Sequence, residues 1–264
     1  MTSHDLFSLA GKVALVTGST RGIGKAIAEG FAAAGARVYV HGRSLEEGTR
    51  VANELGGVFV RADLEQPTSV ELLVAEIAEA EEHLDVLVNN AGIEVEATLE
   101  HLEMNDLARM MRVNFEAPVQ LTRLALPLLR RSGSASVINV TSIHDHVPYY
   151  GNSAYCSAKA ALAMFTRTVA IELARHGIRV NTIAPGAVET DINRAVLDEI
   201  GRHNFSEWIP LGRVAQTSEI VGPAVFLASG AASYVTGATL VVDGGYSHHL
   251  VRYRTAAVAG DTVW

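Results

Sequence analysis

Along nearly the whole chain, short β-branched runs alternate with longer stretches rich in alanine, leucine and glutamate, and nothing else limits the fold so tightly. "KVALVTG" (12–18), "RVYVHG" (37–42), "GVFVRADL" (57–64), "LDVLVNN" (84–90), "ASVINVTS" (135–142), "IRVNTIAPG" (178–186) and "TLVVDGG" (239–245) read as strands. Between them the spacing predicts helices over 22–35, 44–55, 67–82, 103–131, 153–176 and 217–229. The long one at 103–131 is expected to be interrupted near Asn114 and Pro118. Strands that are apolar throughout and separated by helices belong to a parallel sheet covered on both faces. Right-handed crossovers then give a doubly wound, Rossmann-like α/β sheet.

The 264 residues are enough to bury most of their apolar surface in one core. No linker, low-complexity tract or long repeat divides them, so residues 1–264 read as a single domain. Two segments fall outside the alternation. One is 187–215, which follows an "APG" turn and carries Gly201 and Pro210 as hinge or end points; it is expected to be a substrate lid. The other is a C-terminal tail, 246–264.

The net charge of −8 lacks the basic footprint of a nucleic-acid binder, and an anionic membrane surface would repel it. One cysteine, Cys156, excludes an internal disulfide framework and fits a reducing compartment. The start, "MTSHDLFSLAGK", has no basic region followed by an apolar run, and no apolar stretch reaches membrane-spanning length. A soluble, cytoplasmic protein is expected.

"TGSTRGIG" places Gly18, Gly22 and Gly24 between the first strand and the first helix. A glycine turn there lets backbone N–H groups approach a pyrophosphate at the helix N-terminus. Glycines also serve tight turns and close packing, but the strand before and the helix after favour the phosphate reading. An NAD site usually carries an acidic residue at the end of the second strand, against the ribose 2′-hydroxyl. Here Gly42 stands in that place with Arg43 beside it. Arg43 and Arg21 can fork onto a 2′-phosphate, or be two solvated arginines near helix starts. NADP is the favoured cofactor, with NAD as the alternative.

Tyr155 and Lys159 are four apart on a helical segment and share a face, while Ser142 ends a strand at the carboxyl edge where doubly wound folds bind ligands. A free tyrosine has a pKa of about 10 and is a poor base near neutrality. A neighbouring ammonium and an oxidised nicotinamide would both favour its phenolate. Taken alone, the pair also fits a half-buried tyrosine beside a solvated lysine.

"TGSTRGIG", "NNAG" (89–92), Asn114, Ser142, "YCSAK" (155–159) and "APG" (184–186) occur in the order and spacing of the short-chain dehydrogenase/reductase superfamily. The chain resembles that family from about residue 9 to "DGG" at 243–245. The resemblance implies that Tyr155 is the acid/base, that Ser142 orients the reacting oxygen, and that Lys159 binds the nicotinamide ribose and acidifies the tyrosine. Asn114 would hold a water of the proton relay. Cofactor contacts would run through Thr20 and Ile23 in the glycine turn, Asp63 and Leu64 at the adenine, and Asn90, Ala91 and Gly92. Pro185 and Gly186 would follow, with Val188 and Thr190 at the nicotinamide amide. Helices 103–131 and 153–176 would meet symmetry mates in a homotetramer.

"SIHDHVPYYGNSAYCSAK", "NNAGIE", "PGAVETDIN" and "ASYVTGATLVVDGG" look like the glucose 1-dehydrogenase branch, where Glu94, His144 and Asn193 would face the sugar with Ser142 and Tyr155. A polyol needs several hydrogen-bonding groups, and a buried unpaired one is costly. His144 and His146 resemble a metal-ligand pair, but no convincing remaining ligands appear and the family transfers hydride without a catalytic metal. His146 is then a loop residue. Tyr149, Tyr150 and Trp208 either line the pocket or pack, and Cys156 reads as a small core residue. "HH" at 248–249 has no assignable role. The expected partner is a small-molecule sugar or polyol. The alternatives are a 3-oxoacyl thioester or other carbonyl reductase, and a nucleotide-sensing regulator without turnover.

Overall fold

A strand buried on both faces sends alternate side chains into two different cores, and β1 (Val13–Val16) does so at every residue. The computed structural model describes residues 3–190, 199, 201 and 205–249. Val13 and Leu15 join one apolar cluster, Ala14 and Val16 the other. The first is closed by α4 (Pro67–Ala80), α6 (Ala117–Ser132) and α7 (Ser153–Leu173), the second by α2 (Gly22–Ala33), α3 (Leu45–Leu55) and α8 (Val221–Ala228). Helix α4 shows how the sequence makes such a cover. Val70, Leu73, Val74 and Ile77 recur at helical spacing and all four are buried. A short α1 (Ser3–Phe7) precedes β1.

The remaining strands are β2 (Arg37–Gly42), β3 (Val58–Arg61), β4 (Val86–Asn89), β5 (Ser136–Val140), β6 (Arg179–Pro185) and β7 (Thr239–Val242). Among the described residues they form one seven-stranded sheet in the order β3-β2-β1-β4-β5-β6-β7, and every pairing is parallel. Strand order therefore reverses between β1 and β4. In doubly wound sheets the crevice outside that point is where ligands bind.

The expected interruption of the long helix takes another form. α5 (Met104–Met111) runs into α6 through a single π-turn, Arg112–Glu116, and both flanking residues keep right-handed helical angles. The π-turn absorbs the irregularity without breaking the helix. Pro118 sits in the first turn of α6, where a missing N–H is least felt.

A buried polar network clamps the layers. Asn89 on β4 donates to Asn139 on β5 (2.8 Å), which donates to Thr166 on α7 (2.7 Å). The helix bearing Tyr155 and Lys159 is thereby registered against the strand that leads to Ser142. No helix among the described residues is long and apolar enough to cross a membrane.

Candidate active site

The strand ends open onto a cleft of about 710 Å³, within the usual range for ligand sites. At its floor, Gly18 and Gly22 adopt left-handed angles (φ +63° and +57°), which favour glycine. A β-carbon on Gly24 would lie 2.3 Å from the Gly18 carbonyl oxygen and 2.4 Å from the Asn90 amide nitrogen. The turn is thus folded tightly under the α2 N-terminus, which no side chain caps. Its first-turn N–H groups suit an anion. Asn90 holds the turn, donating to the Thr17 and Gly18 carbonyls (2.9 and 3.3 Å), while the Asn90 and Ala91 amides donate to the Thr17 hydroxyl.

Each cofactor residue expected from the sequence lines this cleft. Thr20, Arg21 and Ile23 lie with the glycine turn, and Asp63 and Leu64 at the end of β3. Ala91 and Gly92 follow β4, and Pro185, Gly186, Val188 and Thr190 follow β6. Arg21 and Arg43 are exposed at the rim, and among the described residues neither has an ion pair. The Gly18 amide, by contrast, is already committed to the His41 side chain. A tight cradle, an uncapped helix and two exposed guanidinium groups fit a phosphorylated nicotinamide dinucleotide.

Ser142 leaves β5 and accepts from the His144 amide (3.2 Å), starting a 3₁₀ turn over Ile143–Asp145. Lys159 is buried, donates to the Val140 carbonyl (3.0 Å) and stands 5.6 Å from the Tyr155 ring centroid. Burial lowers its ammonium to about 8. Tyr155 is partly exposed at the cleft wall, yet its hydroxyl is surrounded by protein. That burial, and then the Glu94 charge, push the phenol well above its ordinary value, while the Ser142 hydrogen bond favours the phenolate. These influences together favour the protonated phenol, with the Lys159 ammonium lying over its ring.

Asn114 does not itself line the cleft. It is wholly buried behind the cleft wall, and its side-chain amide is paired at both ends with the Ile93 main chain (2.9 and 2.8 Å).

Glu94, His144, Tyr149, Phe205, Trp208 and Tyr246 also line the cleft. Burial, then Glu96, raises the Glu94 carboxyl; Lys159 opposes them. His144 stacks on Tyr149 (4.7 Å between centroids), and its Nδ1 lies 3.0 Å from the Val147 carbonyl. A carbonyl only accepts, so Nδ1 carries the proton and Nε2 is left as an acceptor. Tyr149 and Trp208 thus line the cleft; Tyr150, 84% exposed, neither lines it nor packs. His146 is exposed and pairs with Asp145, and burial raises the Cys156 thiol. His249 reaches the Trp208 carbonyl (3.3 Å). Asn193 lies outside the described residues, as do 191–198, 200 and 202–204 of the expected lid and 250–264 of the tail.

Sequence reasoning missed His41, Glu96, Phe205 and Tyr246 as cleft residues. Glu96 had a signal, standing two residues from Glu94 on the same excursion from β4. The others are brought in by tertiary register alone.

Comparison with known proteins gives consistent findings. A family model described as enoyl-(acyl carrier protein) reductase matches residues 18–247. The 3-oxoacyl-(acyl-carrier-protein) reductase of Aquifex aeolicus is 37% identical over 243 residues, covering 90% of this chain and 98% of the relative. Gluconate 5-dehydrogenase of Gluconobacter oxydans is 34% identical over 255 residues, covering 93% and 98%. Among solved structures, a gluconate 5-dehydrogenase from Burkholderia cenocepacia in complex with NADP and tartrate aligns with a TM-score of 0.87 and 34% identity. That alignment covers 94% of this chain and 99% of the other.

Proposed function

Because the chain belongs to the short-chain dehydrogenase/reductase superfamily and is an NAD(P)-dependent oxidoreductase, we propose that it transfers hydride between NADP(H) and a hydroxyl or carbonyl of a neutral sugar or polyol. The nicotinamide, when bound, supplies the hydride acceptor or donor and, oxidised, a positive charge that favours a nearby phenolate. Tyr155 moves the proton at the reacting oxygen, and Ser142 holds that oxygen beside the phenol. Lys159, fixed by the Val140 carbonyl, carries the positive charge next to them.

The observation that carries the substrate reading is Glu94, a half-buried carboxylate beside Tyr155 with Glu96 behind it. With the acceptor Nε2 of His144, these groups make a wall that wants hydrogen-bond donors. A polyhydroxylated substrate satisfies them; an acyl chain would leave Glu94 desolvated and unpaired. A substrate carrying its own carboxylate at this wall would meet like charge. The second reading, reduction of a 3-oxoacyl thioester or other carbonyl compound, is supported by the Aquifex relative and by the aromatic surface of Phe205, Trp208 and Tyr246.

Nicotinamide absorbance separates these readings. NADP with a panel of aldoses and polyols, and NADPH with ketones and acetoacetyl-coenzyme A, should show turnover on the hydroxylated compounds. Turnover confined to the thioester would select the second reading, and none at all with intact NADPH binding would select a sensor. The cofactor preference has its own test. Arg43→Ala should weaken NADP binding by about tenfold or more and leave NAD nearly unchanged, since a charge-assisted hydrogen bond contributes about 1.5–3 kcal/mol; equal losses would refute it.

A further inference from the structure

His41 lies on β2, two residues before Arg43, and is 3% exposed at the base of the cleft. Its Nδ1 accepts a hydrogen bond from the Gly18 amide at 3.0 Å. Only an unprotonated ring nitrogen can accept, so the proton sits on Nε2. Nε2 is buried and forms no hydrogen bond, although it approaches the Ala62 backbone. The His41 main chain adds two further links to the same turn. Its amide donates to the Ser19 hydroxyl (3.0 Å) and its carbonyl accepts from the Ser19 amide (2.9 Å). The Ser19 hydroxyl donates in turn to the Val16 carbonyl (2.7 Å).

Burying an imidazole with only a marginal acceptor for its Nε2–H is unfavourable, and an apolar side chain would fill this space without that cost. What histidine supplies here, and an apolar residue does not, is an acceptor at the δ position. We propose that His41 is a positioning residue for the cofactor's phosphates. It anchors the Gly18 peptide and so holds the glycine turn in its binding conformation before the dinucleotide arrives. The turn has no other side-chain acceptor at Gly18 among the described residues. Gly18 itself takes a left-handed angle and packs so closely that a β-carbon would lie 2.9 Å from the Ala91 Cα. A turn ordered in advance does not lose that freedom on binding, and affinity rises accordingly. This inference rests on the cleft being the dinucleotide site and is independent of the substrate.

Asparagine places its Oδ1 near the position of the histidine Nδ1, whereas glutamine presents its amide near Nε2. NADPH affinity, read by fluorescence titration, and melting temperature of the free protein should be measured for wild type, His41→Asn, His41→Gln and His41→Ala. The expectation is that the Gln and Ala variants bind NADPH about tenfold more weakly while Asn stays within about threefold of wild type, tenfold being the equivalent of one lost buried hydrogen bond. Asn and Gln variants of equal affinity would overturn the proposal. A lowered melting temperature with unchanged NADPH affinity would also overturn it, making His41 a core filler. If the Ala variant does not fold, the Asn–Gln contrast decides alone. Wild-type protein that binds no NADPH would instead sink the reading of the cleft.

Discussion

A phenol must lose its proton to act as a base, and at Tyr155 neighbouring groups pull in opposite directions. Burial and the Glu94 carboxylate hold the proton on; the Ser142 hydroxyl eases it off. Removing the Glu94 charge while keeping its shape should therefore lower the tyrosine's pKa. In Glu94→Gln the limb of the kcat profile that reports phenolate formation in alcohol oxidation should move to lower pH, by up to about one unit. A profile at saturating substrate checks this, and a shift to higher pH would contradict the assigned coupling. His41 offers a second titration with the opposite bearing. Burial depresses its imidazole from 6.5 to about 4, so between those values the unfolded chain takes up a proton that the folded chain refuses. Stability from this residue is full above about pH 6.5 and falls as the pH drops toward about 4, by roughly 3 kcal/mol in all. Urea unfolding of wild type and His41→Asn across that window should show the steeper loss in wild type. The two cases also differ in legibility. Ser142, Tyr155 and Lys159 were legible as a set only in the company of the ordered "TGSTRGIG", "NNAG" and "APG" motifs, because the tyrosine–lysine pair alone also fits a half-buried tyrosine beside a solvated lysine. A histidine inside a strand reads only as core, since its partner Gly18 is distant in the chain and the bond depends on how β2 registers beside β1.

At the scale of elements, the same distinction separates the glycine turn from the long helix. "TGSTRGIG" announces its own conformation, because glycine is the residue that left-handed angles and close backbone approach require. The helix over 103–131 was harder to read, since Asn114 and Pro118 are ordinarily breakers. Here Pro118 falls in the first turn after a π-turn, so the two residues widen the helix instead of ending it. Edge positions were also overextended. The run at 57–64 supplies only Val58–Arg61 to the sheet, the remainder turning to the cleft with Asp63 and Leu64. The fit between α2 and its turn is the more consequential one for function. Gly24→Ala would place a methyl 2.3 Å from a backbone oxygen, which no side-chain rotation can relieve. Either the helix or the turn must shift. The variant should unfold about 1–3 kcal/mol more easily, the usual range for overpacking, and lose NADPH affinity at the same time. Thermal unfolding with a parallel titration checks both, and unchanged affinity would show that the cradle tolerates the shift.

For the whole molecule, the sheet and its six covering helices supply most of the two large core clusters, yet apolar residues are left on the outer face of α7. Met164 and Ile171, separated by two helical turns with Thr168 between them, are 57% and 81% exposed. α5 packs beside this helix and carries Met104, also strongly exposed. Tyr234 is also fully open to solvent. Scattered apolar residues are normal on a surface, but a stripe at helical spacing on adjacent helices is the kind of face that a second subunit covers. A helix pair meeting its own copy across a two-fold axis is self-complementary, and a second such axis closes a dihedral tetramer. We therefore expect a homotetramer held partly by α5, α6 and α7. Ile171→Glu places a charge at the centre of the proposed contact while the residue faces away from its own core, so the fold should survive. Light scattering at micromolar concentration should give a tetramer for wild type and smaller species for the variant. A monomeric wild type would refute the assembly, and a variant that stays tetrameric would move the interface off α7.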